Sequence, residues 1–212
     1  MCGRFTLTSE LKEIQEHFNA HNPVAYGASY NIPPSREIPA VRPSQTGREL
    51  FLCRWGLIPH WSKPENKYQA INARAETLAS KPYFRDAYKK RRCLIPANGY
   101  YEWKKELHAK QAYYIHLPDN PLFAFAGLWE NWQHQDRHIE SCAIITTAAN
   151  TRTQTIHDRM PVILDRRNYD EWLESGAEKL LIPYPGEMAC YPVGKYVNNP
   201  RNDGADLLRP LT

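Results

Sequence analysis

The sequence predicts an α+β fold: curved, mostly antiparallel sheets, open and barrel-like, with small helices on their edges. Three observations point there. Apolar, β-branched and aromatic runs recur at 92–104, 111–117, 122–130 and 141–148, and the short polar turns between them favour antiparallel pairing. Helical periodicity is confined to short segments. The 17 prolines and 12% aromatic residues fit many short elements better than a helical bundle. With 212 residues, 42% of them hydrophobic, the chain can bury a real core, and 1–212 reads as a single domain.

Thr8 or Ser9 can cap a first helix, in which Leu11, Ile14 and Phe18 follow at helical spacing. Pro33, Pro34, Pro39 and Pro43 predict an extended loop from Tyr30 to Pro43. Residues 49–57 read as a strand, and Asn72 to Ser80 as a short helix or turn. Pro82 opens a second helix carrying Phe84, Ala87 and Tyr88. After the four strand runs, Asn150 can cap one or two helical turns ending near Ile156, and 160–164 is a further strand. Asp165 can cap a helix through Tyr169, Trp172 and Leu173 that Gly176 stops. The polar tail 198–212 reads as a surface loop with a late strand or turn.

No stretch of about 20 apolar residues is present, and the N-terminus lacks the apolar core of a signal peptide. A cytoplasmic protein with no membrane partner is expected. Cys2, Cys53, Cys93, Cys142 and Cys190 are widely spaced, with no CxxC pair and no histidine cluster at zinc spacing. No metal, cofactor or disulfide framework is expected, and Cys53, Cys93 and Cys142 read as buried thiols. The net charge of +4 allows nucleic acid without requiring it.

The chain begins Met-Cys-Gly-Arg, and methionine aminopeptidases remove Met1 ahead of a small residue. Cys2 would then carry an amine with a pKa near 8 and a thiol near 8.5 on one skeleton. Such a 1,2-aminothiol condenses with an aldehyde to an imine, and the thiol then closes a five-membered thiazolidine. The plain alternative is an unprocessed second residue. In INARAET (71–77), Asn72, Arg74 and Glu76 alternate, and the amide and guanidinium could orient a ligand and clamp a phosphate, or simply decorate a solvated turn. Glu102 lies between Tyr101 and Trp103, where burial would suit it to acid/base work; otherwise it is an outward-facing strand carboxylate. His157, beside Asp158, is either a proton shuttle or a structural histidine. Trp55 and Trp61 flank a proline turn: exposed, they would stack on bases; buried, they are core.

Taken together and in order, MCGRF (1–5), YNIPPS (30–35), RWGLIP (54–59), INARAET (71–77), RRCLIPANGYYEWKK (91–105), IITTAAN (144–150) and IHDRMPVIL (156–164) closely resemble the SOS response-associated peptidase (SRAP) family, as does the tail VGKYVNNPRNDGADLL. The resemblance implies a sensor and protector of abasic sites in single-stranded DNA, probing single/double-strand junctions, that cross-links covalently through Cys2 and is associated with the nucleoid when bound. It implies the catalytic set Cys2, Asn72, Glu102 and His157, lyase-like Schiff-base chemistry and self-processing peptidase activity. It further places Arg4, Arg74, Thr146 and Arg159 in the DNA groove, and Trp55 and Pro34 at the junction. Two other readings compete. Class II glutamine amidotransferases also begin Met-Cys-Gly, but their glutamine-binding blocks are not found here. A non-catalytic single-strand binder would not need Cys2.

Overall fold

The computed structural model describes residues 2–107 and 109–211. Met1, whose removal the sequence reading invokes, lies outside them. In chain order the elements are β1 (Phe5–Leu7), α1 (Leu11–Phe18), β2 (Ser29–Ile32), β3 (Glu37–Ser44), β4 (Gly47–Trp55), β5 (Asn72–Arg74), α2 (Pro82–Lys90), β6 (Arg92–Ala97), β7 (Gly99–Lys105) and β8 (Lys110–His116). The long hairpin β9 (Phe123–His134) and β10 (Arg137–Ala148) follows, then β11 (Arg159–Pro161), β12 (Ile163–Leu164), α3 (Tyr169–Ser175) and β13 (Ala189–Pro192).

The strands form two sheets. One is antiparallel, in the order β13-β8-β7-β1-β2. In the other, β10-β4-β3-β6-β9 returns to β10 through the β9–β10 hairpin, so the sheet closes into a barrel rather than staying open. The expected α+β class holds, and closure removes the edges that an open sheet would expose. Pairing is mostly antiparallel, with one departure from expectation: β10 runs parallel to β4 and to β5. Phe5 on β1 packs edge-on against Trp55 of β4 (5.2 Å between centroids) and Phe125 of β9 (5.9 Å), joining the small sheet to the barrel through one apolar core. Burying these large rings is a principal apolar contribution to the seam.

The local expectations hold where periodicity carried them. Ile14 and Phe18 are buried on α1; Pro82 occupies the first turn of α2; Gly176 ends α3 in the left-handed conformation at φ 63°. Elsewhere the structure corrects them. Glu10, not Thr8 or Ser9, precedes α1, and no side chain caps it. The Thr8 and Ser9 amides instead donate to Asn98 Oδ1, at 2.6 and 3.2 Å. Asn98 also breaks the run 92–104 into β6 of the barrel and β7 of the small sheet. The Asn98 side-chain amide donates to Pro121 O at 2.5 Å, fixing the crossing. Gly99 is needed there because a Cβ would lie 2.3 Å from the Tyr114 hydroxyl.

The proline-rich stretch 30–43 is not one loop: β2 and β3 occupy most of it, around a turn at Pro34 and Ser35. Pro39 and Pro43 are tolerated because β3 pairs with β6 at Val41–Leu94 alone, leaving ladder positions that need no N–H. Residues 72–80 begin as β5 before a 3₁₀ turn at Ala75–Thr77. Asn150 caps a turn, accepting from the Arg152 and Thr153 amides, not a helix. Asp165 makes no side-chain cap, and α3 is entered through a 3₁₀ turn at Arg166–Asn168. The segment 160–164 is split between β11 and β12. The tail is more than a surface loop. Leu207 is buried with Val197 against Tyr101 in a second apolar cluster, while Asp203 accepts from Ser29 Oγ (2.8 Å) and Tyr30 N (2.7 Å). Asn31, 1% exposed, donates to Asn202 O at 2.7 Å and is structural.

Candidate active site at the seam of sheet and barrel

Cys2 enters β1 where the small sheet meets the barrel, and it is fully buried. Its carbonyl accepts a 2.8 Å hydrogen bond from Asn72 Nδ2. Asn72 opens β5, which the parallel pairing with β10 (Asn72 opposite Ile144) holds against the barrel. One bond therefore ties the N-terminal residue of the small sheet to the barrel wall. The other amide atom, Asn72 Oδ1, is buried with no partner among the described residues. Burial, and then the charge of Glu102, push the Cys2 thiol far above its ordinary value, so it rests protonated.

Glu102 is on β7, where side chains alternate. Tyr101 belongs to the outer cluster, while Tyr100 and Glu102 face the barrel. That alternation explains how a carboxylate among aromatics comes to be only 5% exposed. Its Oε1 accepts from Trp103 N at 3.2 Å. His157 follows the Asn150 turn. Its Nδ1 accepts from Arg159 N at 3.0 Å and lies 2.8 Å from Asp158 Oδ1. A backbone donor and a carboxylate thus address the same ring nitrogen and fix the orientation of the ring. Glu102 and His157 line one cavity of about 570 Å³ with Gly3, Arg4, Trp103 and Lys110. The four expected catalytic residues therefore converge, and the alternatives of a solvated turn at Asn72 and an outward-facing Glu102 are excluded.

The expected DNA-contacting residues divide. Arg4 Nη1 donates to Asn31 Oδ1 (2.7 Å) and Val197 O (3.0 Å), and its guanidinium lies 5.8 Å from the Trp103 ring centre, which anchors it at the cavity wall. Arg74 is exposed at the end of β5, and Pro34 is partly exposed in its turn. Arg159 is engaged by Glu76, at 2.5 and 3.0 Å, and donates to Thr146 O at 2.6 Å. Thr146 is itself fully buried, so it anchors Arg159 and offers no groove surface. Trp55 is also fully buried, its indole N–H donating to Ile71 O at 2.9 Å. It has no face for stacking, because β4 turns it into the core. Trp61, 51% exposed, is the tryptophan of this pair that can stack. Lys110 and Tyr100 were not singled out from sequence: a strand lysine carries no motif, and Tyr100 is one aromatic among several within the motif at 91–105. Among the described residues no three His, Cys, Asp or Glu side chains gather to hold a metal ion, and no helix is long and apolar enough to cross a membrane.

The family described as SOS response associated peptidase (SRAP) matches residues 1–200. Abasic site processing protein YoaM of Bacillus subtilis is 43% identical, over 98% of this chain and 97% of that protein. Abasic site processing protein YedK of Escherichia coli is 30% identical over 100% of both chains. Abasic site processing protein HMCES of Xenopus tropicalis is 31% identical, over 88% of this chain and 67% of its own. Among solved structures, a protein from Bacteroides thetaiotaomicron superposes with a TM-score of 0.91 at 26% identity, covering 100% of both chains.

Proposed function

The chain belongs to the SOS response-associated peptidase family, and from that premise we propose that it processes abasic sites in DNA by cross-linking to them through Cys2. Relatives across bacteria and vertebrates are named abasic site processing proteins. The observation that carries the reading is the convergence of Asn72, Glu102 and His157 on a buried N-terminal Cys2, beside a cavity walled by Arg4 and Lys110.

An abasic deoxyribose equilibrates between a closed sugar and an open aldehyde, and only the aldehyde is electrophilic. His157 moves the proton at the ring oxygen as the sugar opens. Loss of Met1 exposes the Cys2 amine, which adds to C1′ to give a carbinolamine; expulsion of water gives an imine. Glu102 takes the proton from the amine and returns it to the departing water. The Cys2 thiol then adds across the imine and closes a thiazolidine. Asn72, bonded to the Cys2 carbonyl, fixes the residue while its main chain and side chain both react. Closure consumes the imine before β-elimination can cut the strand, so the product protects the site. The Cys2, His157 and Glu102 set also suits removal of Met1 by the protein itself.

The partner is single-stranded DNA, held by Arg4, Arg74 and Arg159 through phosphates without reading sequence. Arg159 exchanges Glu76 for a phosphate as the strand binds. Pro34, partly exposed in its turn, lies at a junction with duplex. The protein is cytoplasmic and joins the nucleoid when bound.

The amine requirement separates this mechanism from attack by the thiol alone. A protein carrying an uncleaved N-terminal tag retains the Cys2 thiol and the fold but has no free Cys2 amine. It is expected to give no stable adduct with an abasic oligonucleotide on a denaturing gel. A tagged protein that cross-links as well as the processed one would rule out the amine as nucleophile.

A further inference from the structure

A buried hydroxyl on the strand paired with β1, three residues along from Cys2, has no role in the chemistry above. Tyr100 is 1% exposed, and its Oη makes no hydrogen bond among the described residues. Leaving such a group unpaired is destabilising, and a phenylalanine would fill the same volume without that cost. Unsatisfied buried groups in native proteins are few and call for a cause. The position supplies one. Tyr100 pairs with Phe5 across β1–β7, three residues from Cys2, and shares its face of β7 with Glu102. Its ring is held edge-on to Phe125 at 6.1 Å. Burial, and then the nearby titratable groups Cys2 and Glu102, push the phenol well above its ordinary value, so it keeps its proton and can donate it in a hydrogen bond. Cys190 on β13, two strands away and level with Tyr100 across Ile115 of β8, is the remaining titratable neighbour.

We propose that Tyr100 is a further catalytic residue, whose hydroxyl donates a hydrogen bond to the Cys2 sulfur as it closes the thiazolidine; this rests on the cross-linking reading above. In that step the C1′–S bond forms while the C=N bond becomes a single bond. The electron pair of the C=N bond goes to nitrogen, and the sulfur's proton passes by way of Glu102 to that nitrogen, giving the neutral thiazolidine N–H and returning Glu102 to its starting state. Negative charge develops on a sulfur that burial has kept neutral, and a fixed donor offsets it where water is excluded. Imine formation does not involve the sulfur and so does not need Tyr100.

The test is Tyr100→Phe, mixed with an abasic oligonucleotide and quenched with borohydride at successive times. Ring closure is expected to slow by about 10-fold or more, so that borohydride-trappable imine accumulates, while imine formation keeps its wild-type rate. The melting temperature is expected to rise by about 2–4 °C, as the unpaired hydroxyl is gone. Closure at the wild-type rate overturns the proposal. Should the phenylalanine variant fail to fold, 3-fluorotyrosine at position 100 alters the donor's acidity in place, and an unchanged closure rate there overturns it equally. If the unaltered protein gives no adduct, the cross-linking reading itself fails, a result that cannot be confused with either.

Discussion

Cys2→Ala is expected to abolish the stable adduct with abasic DNA, a loss limited only by the detection floor. Cys2 is fully buried at the seam and supplies both bonds of the proposed product, so no neighbouring group can replace it. The substitution removes only a sulfur from a tightly packed site, and the fold should survive with a cost of order 1 kcal/mol. Cys2→Ser is the informative companion. It keeps the amine, so it is expected to form an imine that borohydride traps and that hydrolyses without it. Denaturing gels with and without borohydride distinguish the three proteins. An equally stable adduct from Cys2→Ala would refute covalent attachment through this residue, and undiminished function without it would favour a non-catalytic single-strand binder.

The second large effect separates His157 from Glu102. If His157 opens the sugar, His157→Ala slows reaction with a natural abasic site by about 10²–10⁴-fold, the usual worth of general acid/base assistance. It should have little effect on a DNA-borne aldehyde that cannot cyclise. Glu102→Ala should slow both substrates, because the amine and carbinolamine protons move in either case. By microscopic reversibility, His157→Ala should also lengthen the life of the finished cross-link. The held geometry of His157, with Arg159 N and Asp158 both at Nδ1, gives the ring a defined orientation for this task. Equal rate losses on the two substrates would move His157 to another step.

What was legible in the sequence was what local chemistry writes there. Pro82, Gly176 and the Ile14–Phe18 spacing marked helices correctly, and the motifs carrying Cys2, Asn72, Glu102 and His157 named residues that the fold brings to one seam. What was not legible depended on partners distant in sequence. Whether Trp55 is core or stacking platform is decided by which way β4 faces Phe5, 50 residues earlier in the chain. Arg159 looks like a free phosphate ligand until Glu76, 83 residues away, is found against it. Pro39 and Pro43 argue for a loop unless the strand beside β3 is known to leave ladder positions unpaired. The break at Asn98 follows from bonds to Thr8, Ser9 and Pro121 that no periodicity announces.

The central claim is a thiazolidine on Cys2, and mass spectrometry of the protein–DNA adduct tests it most directly. The processed protein is mixed with a single-stranded oligonucleotide carrying one abasic site and measured without any reductant. The expected mass is that of one protein without Met1 plus one oligonucleotide, less one water, with no gain of two hydrogens in a borohydride-treated duplicate as an imine would show, and after digestion the nucleotide remnant should lie on the peptide that begins at Cys2. No adduct, or a remnant mapped to a lysine or to another cysteine, would contradict the account.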